Sequence, residues 1–531
     1  MSRADARRSI RAWGLRLLAA AAIACTPPDR GDVVVMASGA DLEGMNPLAT
    51  IHPLSRQLQR HALFVTLVRL DSALAPEPWF ARRWHWSDDR RTLTLATFGA
   101  LAWHDGARVT AHDAAFTLEA ARDPATAFPR AGALAPLDSA WASDDTTLVL
   151  HYAAPQAAIP AALAELPIAP RHLLDTVPRA QLRRAAFARN PVGCGPFRFA
   201  GRDPGVAWHF TRVLDFPREL GGPARAEHLA IVVVDEATTK LAGLVSGELD
   251  VAGIAPTMVA QASRDPGLRV LTYPVLFTQA LVMNPARAPL DDVRVRRAIA
   301  RSIDRARLVS VAMAGQGTPA IAPVPPDHPA APVAAPSAAA PDTAAADALL
   351  DQAGWRRGPD GVRARGGQRL ALTLQFVGAG DNIMEQLVQA DLAARGIAVT
   401  LRPVELGAFL AEARRPDKRF DLLLTGIPGD LALSHLGAMF DGREAGGALD
   451  YAGYHAPALD ARFAAVRTAP SAEAQRDAWR AVLAALDSAA PVAWLTHARG
   501  VQGVSRRLDG VEMDLRGELA SVTRWRRERA R

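Results

Sequence analysis

Short runs that crowd or alternate apolar residues recur along this chain, separated by stretches whose apolar positions fall every three or four residues. Val33-Val34-Val35-Met36-Ala37 is the first, a β-branched run that ends in Ser38-Gly39-Ala40-Asp41. Branched side chains suit a pleated surface, and Gly and Asp suit the turn that follows. Thr92-Leu93-Thr94-Leu95 and Leu370 to Phe376 alternate, which predicts strands with one buried face. Ile231-Val232-Val233-Val234 is apolar throughout and predicts a fully buried strand. Further strands are expected over 147–150, 397–401, a long one over 271–284, and one running from Phe420 into a loop at Gly429-Asp430. Val295, Ile299 and Ile303 fall at i, i+4 and i+8 and predict one apolar helical face. Thr110, with Asp113 three residues on, has the form of a capping box that starts a helix. Helices are also expected loosely over 56–70, over 235–244 before a closing Gly247, over 344–353 before Gly354, and near 383–395. Strand, helix and strand follow each other in the last third, which predicts an α/β lobe there.

The chain has 531 residues. At about 150 residues per folding unit this is three or four units, or two large lobes. Residues 319–341 are rich in Pro and Ala with few large apolar side chains and read as a loop over the surface. The formal charge of +6 invites a nucleic-acid reading, but it is concentrated at the ends. Residues 1–24 hold five arginines against Asp5, and 524–531 hold five against Glu528, so the stretch between them is slightly acidic on balance. A nucleic-acid footprint needs basic residues clustered on a folded face, so this class is set aside. The basic tail reads either as a contact to an anionic membrane surface or as a frayed terminus.

The arginines at the start precede Leu17-Leu18-Ala19-Ala20-Ala21-Ala22-Ile23-Ala24 and then Cys25. A basic segment, a short apolar segment and a small residue form a secretory signal peptide, too short to span a membrane, which takes about 20 apolar residues. Ala22-Ile23-Ala24-Cys25 resembles a bacterial lipobox, which makes 1–24 the removed signal, Cys25 the lipidated residue and 25–32 a tether; the alternative is a plain cleaved signal with an incidental Cys25. The other cysteine, Cys194, then has no partner in the chain and reads as a small buried residue rather than a nucleophile. Ser246 beside Gly247 lacks the spacing of a nucleophile elbow. Among the 13 histidines none cluster at metal-ligand spacing, so neither a metal nor a cofactor is expected. His104-Asp105 reads as part of a turn and helix start, and Arg294, Arg296, Arg297 and Arg301 as a solvated, ion-paired helix face.

One decapeptide organises the remainder. Asn190-Pro191-Val192-Gly193-Cys194-Gly195-Pro196-Phe197-Arg198-Phe199 crowds two glycines and two prolines before an alternating aromatic pair, a tight turn into a strand. It resembles the signature turn of the family 5 (peptide/nickel-type) extracytoplasmic solute-binding proteins of ABC transporters, with Cys194 where that family has Thr. Trp103-His104-Asp105-Gly106 followed by Thr110-Ala111-His112-Asp113 resembles a second motif of the family. So do Pro170-Arg171-His172-Leu173-Leu174, Gly247-Glu248-Leu249-Asp250, Asp292 to Arg305, Leu349 to Trp355 and Pro491 to Leu495, in the same order.

The resemblance implies a two-lobed α/β periplasmic-binding-protein-like fold, type II, of the large cluster with an extra subdomain in the first lobe. Lobe I is expected over 33–284, with an inserted subdomain at about 66–189, lobe II over 285–488, and a return to lobe I with a basic tail over 489–531. It implies a monomeric binding protein without enzymatic activity, outside the cytoplasmic membrane, that encloses a solute and delivers it to an ABC permease and ATPase complex. Oligopeptides are the expected solute; metal chelates, haem, opines and sugars are alternatives, as is a lipoprotein sensor or scaffold without transport. Asp430, with Gly429 beside it, lies where peptide-binding relatives place an acid for the ligand's amine, and Met45 and Asn46 lie in a loop on the ligand side.

Overall fold

The computed structural model describes residues 31–528 apart from 43, 333–339 and 379–381. The expected signal peptide and the lipidated Cys25 lie outside the described residues. Strand β1 (Val33–Ser38) is the first valine run. Helix α1 (Pro53–Leu58) follows and loosens into a π turn at Gln59–Leu63. The chain then enters a four-stranded antiparallel sheet of β2 (Ala81–Trp86), β3 (Thr92–Thr97), β4 (Leu137–Asp144) and β5 (Thr147–Tyr152), in the order β2-β3-β5-β4. Helix α2 (Ala111–Arg122) starts where the capping box places it: the Thr110 N–H donates to Asp113 Oδ2 at 2.8 Å.

Strands β6 (Phe197–Asp203), β7 (Ala207–Arg212), β8 (His228–Val233) and β9 (Val251–Gly253) complete the sheet of lobe I. Helix α3 (Ala237–Ser246) lies between β8 and β9 and closes at Gly247, whose φ of 80° is the left-handed conformation that glycine adopts without strain. A 16-residue strand, β10 (Leu268–Met283), leads out of the lobe.

Lobe II contains α4 (Val293–Ser302), α5 (Thr343–Gln352), β11 (Ala371–Val377), α6 (Ile383–Ala394), β12 (Ala398–Val404), α7 (Leu406–Ala413), β13 (Leu422–Pro428), α8 (Ser434–Phe440), α9 (Pro457–Thr468) and α10 (Ala472–Ala489). Strand β14 (Val492–Ser505) carries the chain back. One sheet runs through both lobes in the order β12-β11-β13-β10-β14-β9-β1-β8-β7-β6. Its two centre strands, β10 and β14, are antiparallel and are the ones that cross between lobes. The strand partners β11 and β12, like β1 and β8, are parallel, as helical crossovers require.

Side chains alternate across the sheet, so each lobe has a core on both faces. In lobe II, Leu281, Leu422 and Leu424 pack with Val295 and Ile299 of α4 and Val388 of α6, while Ala280, Val282 and Leu423 face Phe409, Phe440 and Phe463. In lobe I one continuous core joins β1 to the four-stranded subdomain.

Two readings of charge change. Arg294, Arg297 and Arg301 sit at the surface, but Arg296 is buried, and its Nη2 donates at 2.7 Å to the Ala489 carbonyl at the end of α10. A cation at a helix C-terminus satisfies carbonyls that lack intrahelical partners. The C-terminal tail is not frayed through residue 528. Trp525 is fully buried, and Arg527 pairs with Asp250 inside lobe I.

Candidate ligand-binding site

The two motifs that are most visible in the sequence hold the subdomain to lobe I. Leu63, at the end of the π turn, accepts from the N–H groups of Cys194 and Gly195 at 3.0 and 2.9 Å, and His104 N–H donates to the Gly193 carbonyl at 2.8 Å. A Cβ on Gly193 would stand 2.0 Å from the Leu63 carbonyl oxygen, and one on Gly195 2.4 Å from that of Ala62. Only glycine lets these backbones approach so closely. The His104 ring donates through Nε2 to the Gly195 carbonyl at 3.0 Å, and burial holds its pKa down to about 4. Cys194 is buried, and burial pushes its thiol up, away from a reactive thiolate. A cavity of about 440 Å³ lies at this junction, lined by Trp103, His104, Arg198 and Arg212 among others.

The lobes approach each other elsewhere, at the crossing strands. Strand β10 bulges between Pro274 and Thr278 where it faces β14. Thr278 Oγ1 lies 2.9 Å from His497 Nδ1, with both residues buried, and burial holds the His497 ring neutral with a pKa of about 4. Onto this bulge docks the loop after β13, where Gly429 N–H donates to the Leu276 carbonyl at 2.7 Å.

Asp430 follows, outside the carboxyl end of β13, where open α/β sheets place their ligands. Its carboxylate accepts from Ala432 N at 2.9 Å, Ser434 N at 3.0 Å, Ser434 Oγ at 2.8 Å and His435 N at 3.1 Å. It thereby caps the start of α8. Burial pushes this carboxyl up, but the bonds from His435 and Ser434 outweigh burial and hold it well below the usual carboxylate range. A quarter of its side chain stays exposed.

Met45 and Asn46 are both fully buried. Asn46 Nδ2 donates to the Leu182 carbonyl at 2.7 Å, its Oδ1 accepts from Leu48 N at 3.0 Å, and Met45 N–H donates to the Ala188 carbonyl at 2.8 Å. These two residues pin their loop to the subdomain and offer no exposed atom to a ligand.

Lobe I holds a charged cluster that the sequence reading missed. Glu165, with 12% of its side chain exposed, lies 2.8 Å from Arg130 Nη1, 3.6 Å from Arg60 Nη1 and 3.9 Å from Arg56 Nη2. Three guanidiniums share one carboxylate, which leaves an excess of two positive charges. The Nε groups of Arg56 and Arg60 are buried and have no hydrogen-bond partner among the described residues. Burial lowers the Arg130 pKa to about 10, while the carboxylates of Glu165 and, from lobe II, Asp430 act upward. Arg130 stays charged at neutral pH and senses the acid of the other lobe. Arg56 and Arg60 are four residues apart on one face of a helix, a spacing that the sequence does show. Arg130 and Glu165 come from distant turns, and only the fold brings them in.

Among the described residues no group of three His, Cys, Asp or Glu side chains is placed to hold a metal ion. No helix among them is long and apolar enough to cross a membrane.

Two α/β lobes joined by crossing strands define the class of two-lobed periplasmic binding proteins. Residues 75–439 match the family model for bacterial extracellular solute-binding proteins, family 5 (middle region), and the chain belongs to this family. It is an extracytoplasmic solute-binding protein of the peptide or nickel type that works with an ABC permease, and not an enzyme. The chain is 28% identical over 444 residues to protein XP55 of Streptomyces lividans, which spans 82% of this chain and 79% of that protein. In fold it is similar to the oligopeptide-binding protein AppA of Bacillus subtilis, solved with a nonapeptide, with a TM-score of 0.73 at 21% identity over 94% of this chain and 99% of AppA. It is similar also to NikZ of Campylobacter jejuni, solved with Ni(L-His), with a TM-score of 0.75 at 20% identity over 93% of this chain and 99% of NikZ.

Proposed function

We propose that this protein captures short peptides between its lobes and delivers them to its permease. The observation that carries the reading is that the lobes hold opposite charges, the partly exposed Asp430 on lobe II and the Arg56–Arg60–Arg130 cluster on lobe I, which match the two ends of a zwitterion. The exposed edge of Asp430, with Gly429 beside it, takes the ligand's amine, and the guanidiniums take a carboxylate. Ion pairs enclosed by hinge closure are worth more than the same pairs in water. The AppA structure with its nonapeptide lends the reading support. The excess of two positive charges also favours a second reading, an acidic non-peptide solute such as a carboxylate-bearing metal chelate. We further propose that Cys25 carries a lipid anchor, which labelling with a radioactive fatty acid in wild type and Cys25→Ala would test.

A thermal-shift screen of the chain from residue 26 onward tests the ligand, because a solute that binds the folded state alone raises the melting temperature. Tri- to pentapeptides are expected to raise it, and their N-acetylated or C-amidated forms to raise it less. A shift with nickel chelates, haem or sugars but not with peptides would overturn the peptide reading.

A further inference from the structure

Two aromatic rings of β10 lie on two glycines of its neighbours, one just before the bulge and one within it. Tyr273 covers Gly500 of β14, and Phe277 covers Gly426 of β13. In both pairs a Cβ built on the glycine would stand 2.0 Å from a ring atom, so the ring occupies the place of the missing side chain. A ring laid on a strand glycine restores packing that the glycine lacks. The two rings differ in what covers their other faces. Tyr273 is 3% exposed, whereas Phe277 is 36% exposed.

Phe277 is not a stray surface residue. It pairs across the strands with Pro428, and the Gly429 N–H bonded to Leu276 docks the next residues beside it. The ring therefore stands on a crossing strand, and its register partner Pro428 lies two residues before Asp430 in the chain. The bulge is pinned by the buried Thr278–His497 pair, so the ring is held on rigid elements.

We infer that Phe277 is a specificity-determining residue of the ligand site: its open face is the apolar floor for the side chain of the ligand's amino-terminal residue, and Gly426 is the position that makes room for the ring. This rests on the peptide reading, in which the amine is held at Asp430. With the amine fixed at Asp430, the exposed face of Phe277 is apolar surface for the first side chain to cover, which is favourable.

The test is titration calorimetry of Leu-Ala-Ala and Gly-Ala-Ala against wild type, Phe277→Ala, Phe277→Leu and Gly426→Ala. Wild type is expected to prefer the leucine peptide by about tenfold or more. In Phe277→Ala that preference falls to within about threefold, with the glycine peptide little changed, and Phe277→Leu keeps most of it. Gly426→Ala displaces the ring without altering it and lowers the preference in the same direction. Melting temperatures of the variants confirm that they are folded, and Gly426→Ala carries the test if Phe277→Ala is not. Equal loss for both peptides in Phe277→Ala makes the ring a packing element and overturns the inference. So does a wild type that binds both peptides equally, while the peptide reading stands. A wild type that binds neither peptide overturns both.

Discussion

Arg527 of the C-terminal tail pairs with Asp250 at 3.2 Å, with 7% and 1% of the two side chains exposed. The same carboxylate accepts the Val35 N–H of β1 through Oδ2 at 2.9 Å. The last strand segment thus neutralises a charge buried behind the first strand. Removal of one member of a buried pair leaves the other uncompensated, at a cost of about 3–5 kcal/mol. Arg527→Met is expected to lower the unfolding free energy of lobe I by about that amount in urea titrations, and Asp250→Asn together with Arg527→Met by less than either alone. Equal stability of Arg527→Met and wild type would show the tail to be dispensable.

The signature turn makes a second prediction. Gly193→Ala and Gly195→Ala must each push a methyl group into backbone oxygens of the π turn, which cannot rotate away. Each is expected to destabilise by about 2–4 kcal/mol and to loosen the subdomain from lobe I. Cys194, between them, is buried, so a thiol reagent is expected to leave it unmodified in the native protein and to label it only after unfolding. Fast labelling of native protein would contradict the packing described.

Much of this fold is legible where local chemistry and tertiary packing agree. The capping box at Thr110, the closing Gly247, and the apolar helical face of Val295 and Ile299 stand where the pattern puts them, while Ile303 is extended just past the helix end and buried in the same core. The exception in lobe I is the loosely helical stretch 56–70. It ends as a helix at Leu58, turns through a π turn, and is extended at Val68–Leu70, because the turn after Asn190 needs the Leu63 carbonyl. That demand comes from a segment more than a hundred residues away. The candidate site was legible only on the lobe II side, where Asp430 follows a recognisable strand. Asn46 carries the same side chain whether it faces a ligand or the Leu182 carbonyl, and no local pattern separates the two. The Glu165 cluster draws on three separate segments of the chain, so no window of sequence contains it.

Acid is expected to weaken the protein through its buried histidines. Burial lowers His497 from an ordinary value of 6.5 to about 4, and lowers His104 similarly. A group whose folded pKa lies below its unfolded one contributes stability that is complete above the unfolded value. That stability is lost as pH falls from about 6.5 towards 4, because only the unfolded chain takes up the proton there. Each ring contributes on the order of 1–3 kcal/mol. Melting temperature is expected to fall over that window, and His497→Gln, which can still bond Thr278, to flatten part of the slope. An unchanged slope in His497→Gln would assign the acid sensitivity to other groups.

The arginine cluster separates a structural role from a ligand role, because its members respond differently. Among the described residues Glu165 is the carboxylate paired with all three guanidiniums, at 2.8 to 3.9 Å. Glu165→Gln leaves the guanidiniums to repel one another, so stability falls by a few kcal/mol, on the order of the cost of an unpaired buried charge. Affinity for an acidic ligand end is then expected to rise, because that end becomes the missing counter-charge. Arg130→Gln removes repulsion and one donor together. Its stability is expected to change by less than about 1 kcal/mol, while affinity for a peptide with a free carboxylate falls about 10–100-fold, the worth of one bond to a charged group. The C-amidated peptide is expected to be nearly indifferent to Arg130→Gln. Calorimetric affinities for the free and amidated peptides across the two variants measure this. Equal losses for both peptides in Arg130→Gln would make the cluster a scaffold of the subdomain rather than a wall that holds the ligand's carboxylate.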